Sequence, residues 1–304
     1  MKITNIDATI RSLLQKAVRR NAPEIAEKAS IYLILNNQGI WLKNRLGTIT
    51  FEESWGYTSK ISFNKNERNL ITQYKELCAL SKNKNAAGLG SLAYEFSKGD
   101  KSVLQEEENS NRHIKILKEA INRPQDFWNW AKSEKSNSSE VTVFLEKAET
   151  GYNLAGWPWD KAFSLASAYL ILTSKPPELI YYPSTGNLNF PFWTAIDKHT
   201  PKGKAAIKQC SKKLNLSYET LGWIQFYFES AKTTNLQESI WWEKEKKWRL
   251  EREGISTSDA SAIWSEASSF LEAHFKTDNA ELSKILETAY QQYLNTIKTQ
   301  ENLL

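Results

Sequence analysis

The residues best suited to chemistry lie in one short stretch, Asp197-Lys198-His199-Thr200-Pro201-Lys202-Gly203-Lys204. With Lys208, Lys212 and Lys213 it places six lysines within sixteen residues, and no acid falls between 198 and 213. Thr200 and Pro201 read as the N-cap and first residue of a helix running to Lys213. A helix start offers unpaired N–H groups and the positive end of the dipole, which suits an anion. Lysines there oppose the usual preference for acids in the first turn, and a local conflict of this kind marks a candidate site. Gly203 would let a phosphate approach the backbone. The chemistry expected is contact with nucleic-acid phosphates through Lys198, His199, Lys202, Lys204, Lys208 and Lys212. Trp193, in a loop just before the segment, could stack an exposed base. Arg11, Lys16, Arg19 and Arg20 read as a second basic surface, the outer face of the first helix, and Arg19 and Arg20 join the nucleic-acid set. The alternative is a solvated face in a lysine-rich protein.

Catalytic patterns are absent. The chain has no phosphate loop of the GxxxxGK[ST] type, no GxGxxG, GxSxG or HExxH, and no kinase-type set. His113, His199 and His274 are too dispersed for a multi-histidine metal site. Asp197 with His199 could ligate a metal or serve a nuclease, but such pairs are common. Glu52 and Glu53 would diverge by about 100° on a helix, so they read as a surface or salt-bridge feature. The expectation is a protein with no catalytic residue, no metal and no cofactor.

The elements that must position these residues are helices. Ile6, Ile10, Leu13, Leu14, Ala17 and Val18 recur at helical spacing. Asn21-Ala22-Pro23-Glu24 reads as a cap, an early proline and a capping-box glutamate. Helices are also expected over 40–55, weakened by Gly47, over 67–81 and over 85–97. The last of these is rich in Ala and Gly and suited to close packing. Pro124 opens a further helix, and others fall near 140–149 and 159–173. In the final third, Ser217 caps a helix over 218–231, and Asn235 opens a charged helix ending at Gly254. Ser256 or Ser258 caps the next helix, and Asp278 begins the last through a capping box. No hairpin signal, alternating strand series or fixed-period repeat is present. The fold class is all-α, a multi-helix collar-like bundle with a second helical half. Ser133–Ser139 is the best linker, dividing a helical domain at 1–132 from a second at 140–304, unless the two are continuous. The stretch 183–191 reads as a loop.

The 304 residues carry 40 Lys+Arg and 35 Asp+Glu, a net +5. Hydrophobic residues make up 40 % and charged ones 25 %, an ordinary globular balance that argues against wholesale disorder. Cys78 and Cys210 form no CxxC pair, which excludes a disulfide framework and suits a reducing cytoplasm. No apolar stretch is long enough for a membrane span. Most of the 12 tryptophans, Trp241, Trp248 and Trp264 among them, read as helix-packing residues.

One region has a familiar look. Leu13–Arg20, then Pro23, Glu24, Ala26 and Ala29, then Trp41–Trp55, resembles the helical region that follows the ATPase core in replication-associated recombination AAA+ ATPases, relatives of clamp loaders. Lys16, Arg19, Arg20, Arg45, Leu46, Ile49 and Glu53 fall on that family's pattern, while Gly47 and Thr50 depart from it. Asn83-Lys84-Asn85-Ala86-Ala87, followed by Leu92 and Ala93, corresponds to a later helix. The match covers residues 8–98 and includes no ATPase module. It implies a collar-like fold, a DNA-replication setting and self-association, and it assigns no catalytic residue. The reading is a cytoplasmic, non-enzymatic accessory protein of DNA replication or repair that binds nucleic acid or a replication or recombination partner. A protein-interaction scaffold is the first alternative, and an enzyme of unrecognised type near Asp197 and His199 the second.

Overall fold

In a chain with so many helical apolar periods, each helix has to bury its stripe against another helix. The computed structural model describes residues 5–64, 66–133, 138–184 and 189–301, and it is all-α. The helices are α1 (Ile6–Arg19), α2 (Pro23–Leu35), α3 (Gly39–Glu53), α4 (Glu67–Ala79), α5 (Asn85–Ser97), α6 (Glu108–Asn122) and α7 (Pro124–Ser133). They continue with α8 (Ser139–Leu154), α9 (Pro158–Thr173), α10 (Pro201–Lys213), α11 (Tyr218–Gln225), α12 (Ile240–Arg252), α13 (Thr257–His274) and α14 (Lys276–Glu301). Short 3₁₀ turns lie at Trp55–Lys60 and Phe192–Ala195, and a π-turn at Phe226–Ser230 prolongs α11. Among the described residues there are isolated bridges but no strand.

Two apolar cores form. The first joins α1, α2 and α4 to α10, α11, α13 and α14, with Leu14, Leu33, Tyr74, Ile207 and Leu271 buried together. The second joins α5, α6, α7, α8 and α9, with Leu89, Leu117, Trp128, Phe144 and Leu165. Helix α3 serves both, because Leu42, Leu46 and Ile49 enter the first core while Phe51 enters the second. Both cores draw on residues from each side of the 133–139 segment, so its ends do not separate two cores. Residues 134–137 of that segment, and 185–188 of the 183–191 loop, lie outside the described residues.

Asparagine makes the sharp turns. Asn21, Asn37, Asn215 and Asn235 all hold positive φ, a left-handed conformation that a short polar side chain tolerates. Asn21 is therefore the turn between α1 and α2 rather than a cap, and Ala22 in the cap position supplies no side-chain bond. Asn235 likewise sits in a turn, and α12 begins only after Ser239. The expected capping box at Asp278 lies within α14, which starts at Lys276 directly behind α13. Gly254 closes α12 with φ of 74°, Thr200 caps α10 and Ser256 caps α13, in accord with their sequence signals.

Helix α5 is buried on nearly every side, from Ala86 to Ala93. Its small residues let α12 and α9 approach almost to backbone contact. A Cβ on Gly88 would lie 2.3 Å from the Trp241 carbonyl group, so only glycine fits there. Gly88→Ala is expected to force α5 and α12 apart and lower unfolding stability by about 1–3 kcal/mol or more. Gly39→Ala, where a Cβ meets nothing within 4 Å, is the control, and urea denaturation of both variants checks the difference.

Candidate functional site

Where the two cores meet, α1, α3, α5, α9, α11 and the segment before α10 leave a cleft of about 600 Å³. That volume falls in the range of small-ligand sites. Its floor is charged. Lys16 on α1 donates to Asp197 Oδ2 at 2.6 Å and to Ser12 Oγ at 2.6 Å. One turn later Arg19 bonds Glu52 through Nη2, Glu53 through Nε, and the Ser230 carbonyl at 2.6 Å through Nη1. Lys84, fully buried, reaches Glu53 at 3.1 Å. Arg45 bonds Asp160 at 2.5 Å, and Gln15 donates to Glu52 at 2.5 Å. On the far wall Tyr227 donates its hydroxyl proton to Glu245, with Arg249 3.7 Å away.

The electrostatics follow from burial and pairing. Burial alone would raise the Asp197 carboxyl, but Lys16 and His199 hold it well below the usual carboxylate range. Glu52 is also held down, against burial, by Arg19, Lys84 and Arg45. Burial wins at Asp160 and Glu245, which are raised despite Arg45 and Arg249. Burial pushes the Lys198 ammonium down to about 8, against the pull of Asp197. Its Nζ lies 4.0 Å from the Trp223 ring centroid and 5.1 Å from that of Phe226.

Aromatic walls rise above this floor. Trp159 lies against Tyr94 with centroids 5.2 Å apart, and Arg11 lies 5.0 Å from the Trp41 ring. Trp157, on the rim, is 72 % exposed. Phe226 and Ser230 reach the cleft from the π-turn, a backbone irregularity that recurs at functional sites.

The structure divides the residues singled out in the sequence into three groups. Lys198 and His199 line the cleft, and His199 is exposed with Nδ1 3.0 Å from Asp197 Oδ1. Lys204, Lys208 and Lys212 are exposed along one side of α10, and Lys202 pairs with Asp278 at 2.5 Å. Four residues are withdrawn from solvent. Trp193 is 5 % exposed and sits in the first core, so its ring has no face for a base. Arg19 is held by its carboxylates, and Arg20 by Glu229 at 2.7 Å with both side chains covered. Lys16 is buried too, so α1 presents no basic outer face there: its polar stripe turns into a second, ionic interior. Gly203 also has another role. A Cβ there would lie 2.0 Å from the Asp197 carbonyl oxygen, so the glycine admits the chain's own backbone. Thr200 Oγ1 already accepts from Gly203 N, which occupies the start of α10.

Glu52, Glu53, Lys84, Arg45, Asp160 and the Trp41, Trp157, Trp159 and Trp223 rings were missed as site residues. The available signals were the adjacent glutamates at the end of an apolar helix and the Trp157-Pro158-Trp159 run. Among the described residues, no group of three or more His, Cys, Asp or Glu could hold a metal ion. No helix among them is long and apolar enough to cross a membrane. The chain matches no family model, no curated protein and no solved structure.

Two outcomes follow for the ionic floor. Glu53→Gln should cost about 3–5 kcal/mol, because Arg19 and Lys84 would lose a buried counter-charge. Equilibrium denaturation measures it. The depressed Asp197 carboxyl adds stability that is complete above its unfolded value of about 3.9 and is lost as pH falls below it. Asp197→Asn should therefore be less stable than wild type at pH 7 and lose less between pH 5 and pH 3, read from the same denaturation curves.

Proposed function

We propose that the protein is a non-catalytic accessory factor of DNA replication or repair that holds nucleic acid by its phosphates along α10. One observation carries this reading. Lys204, Lys208 and Lys212 are exposed, spaced one helical turn apart, and have no anionic partner among the described residues. Like charges at this spacing cost a helix about 0.2–0.5 kcal/mol per pair. A phosphate backbone turns that cost into attraction, and each lysine it meets releases a counterion. The opposite side of α10 is fixed in the core through Ala206, Ile207 and Cys210, so the row is held rigidly toward solvent. With Trp193 buried, contact rests on phosphates rather than base stacking. The replication setting rests on the resemblance of residues 8–98 to a clamp-loader-related collar, whose matched positions Lys16, Arg19, Arg45 and Glu53, with Lys84, line or adjoin the ionic floor.

A second reading, a protein-interaction scaffold, is favoured by an exposed apolar patch. Ile180, Tyr181, Leu236 and Ile240 are exposed on neighbouring segments, joined where Ser81 N donates to the Ile180 carbonyl at 2.7 Å and Lys82 N to the Asn235 carbonyl at 3.0 Å.

The triple variant Lys204→Gln/Lys208→Gln/Lys212→Gln separates the two readings. Fluorescence anisotropy with labelled single- and double-stranded DNA, across a salt series, should show weaker binding. The slope of log K against log salt should be shallower by about 2–3. Binding identical to wild type, or no salt-dependent binding by wild type, would leave the scaffold reading.

A further inference from the structure

The cleft has a hydrogen-bonding imbalance that does not depend on what α10 binds. Each of its four lining carboxylates already faces a cation: Glu52 meets Arg19, Asp160 meets Arg45, Asp197 meets Lys16 and Glu245 meets Arg249. The capacity left over is mostly that of donors. Arg11 Nε and Trp159 Nε1 are buried without a hydrogen-bond partner, although buried polar groups are as a rule paired. Lys198 Nζ has aromatic rings beside it but no acceptor among the described residues. His199, exposed at the mouth, has one ring nitrogen engaged by Asp197. A site with matched acids and spare donors selects an acceptor-rich, anionic ligand. The walls add a second requirement. Trp41, Trp159 and Tyr94 line the cleft with aromatic surface, and Trp157 stands exposed on the rim. A planar ring system suits them, since a nucleobase stacks favourably on an aromatic side chain.

We propose that this cleft binds a nucleoside phosphate, with the base against the tryptophan and tyrosine walls and the phosphate on Lys198, Arg11 and His199. The same chemistry could arrive as a free mononucleotide or as one nucleotide turned out of a strand.

The full-length protein would be titrated with AMP, GMP, CMP and UMP, with adenosine, with inorganic phosphate and with a short single-stranded oligonucleotide. Isothermal calorimetry and intrinsic tryptophan fluorescence would follow binding. Saturable binding of at least one mononucleotide is expected, with quenched fluorescence and an affinity about tenfold or more above that of adenosine or phosphate alone. Lys198→Ala should weaken it about tenfold or more by removing a charge-assisted hydrogen bond. Trp157→Ala, at an exposed position where folding is not at stake, should weaken it several-fold. The α10 triple-glutamine variant should bind mononucleotides as wild type does, which separates failure of this site from failure of the α10 reading. An oligonucleotide that binds in the cleft while mononucleotides do not would assign the strand as the source, provided Lys198→Ala and Trp157→Ala both weaken it. No saturable binding of any probe, or binding that both variants leave unchanged, would overturn the proposal.

Discussion

Arg19 cannot be buried alone. An uncompensated guanidinium in a protein interior is too costly to keep, so its position requires carboxylates brought to it from elsewhere in the chain. Helix α3 supplies two of them, Glu52 and Glu53, adjacent in sequence and both turned toward α1. Glu53 in turn justifies Lys84 at the start of α5, and the Ser230 carbonyl completes the set from the end of the π-turn. Four segments distant in sequence are thus tied to one cation. Apolar packing could tolerate small slips between these helices. The ion cluster penalises them, because a slip would leave a charge unpaired where water cannot reach it.

The cleft follows from that arrangement. Two apolar cores close on themselves, and the ionic floor lies where they meet, a place where side chains of neither core fill the volume. Lys82 shows the same economy nearby: its buried ammonium donates to the carbonyls of Leu77, Cys78 and Leu80 and so closes the end of α4. In the cleft the acids are satisfied by protein partners while Lys198, Arg11 and Trp159 retain donors. The result is a pocket with a definite polarity, aromatic on its walls and donor-rich within.

Helix α10 is built on a different principle. Its capping threonine and Gly203 fit the helix start tightly against the Asp197 backbone, which fixes both the cleft residue Asp197 and the direction of the helix. Its inner face is apolar and its outer face is lysine. Among the described residues, Lys202 alone of these lysines finds a carboxylate, on α14. The remaining row is available to an anion outside the protein, which is the basis for reading the surface as a phosphate contact.

Much of the fold was legible in the sequence because local signals set it. The periodicity of α1, the caps at Thr200, Ser217 and Ser256, the stop at Gly254 and the close-packing composition of α5 are short-range physics, and each appears where its residues indicate. The basic row of α10 was legible for the same reason, since residues at i, i+4 and i+8 share a side of any helix. A few local end signals were displaced, at Asn21, Asn235 and Asp278, but the misreadings of charge and burial concern residues whose role is set by partners far away in the chain. Arg19, Arg20 and Lys16 have the spacing of a solvent-facing stripe, and nothing local reveals that Glu52, Glu53, Glu229 and Asp197 will cover them. Trp193 stands beside lysines in sequence yet points into the core. The sequence by itself determined the helices, several of their caps and stops, and the lysine row; the tertiary structure decided which charges face water and which face each other, because that depends on pairings across 30 to more than 200 residues, which no local pattern encodes.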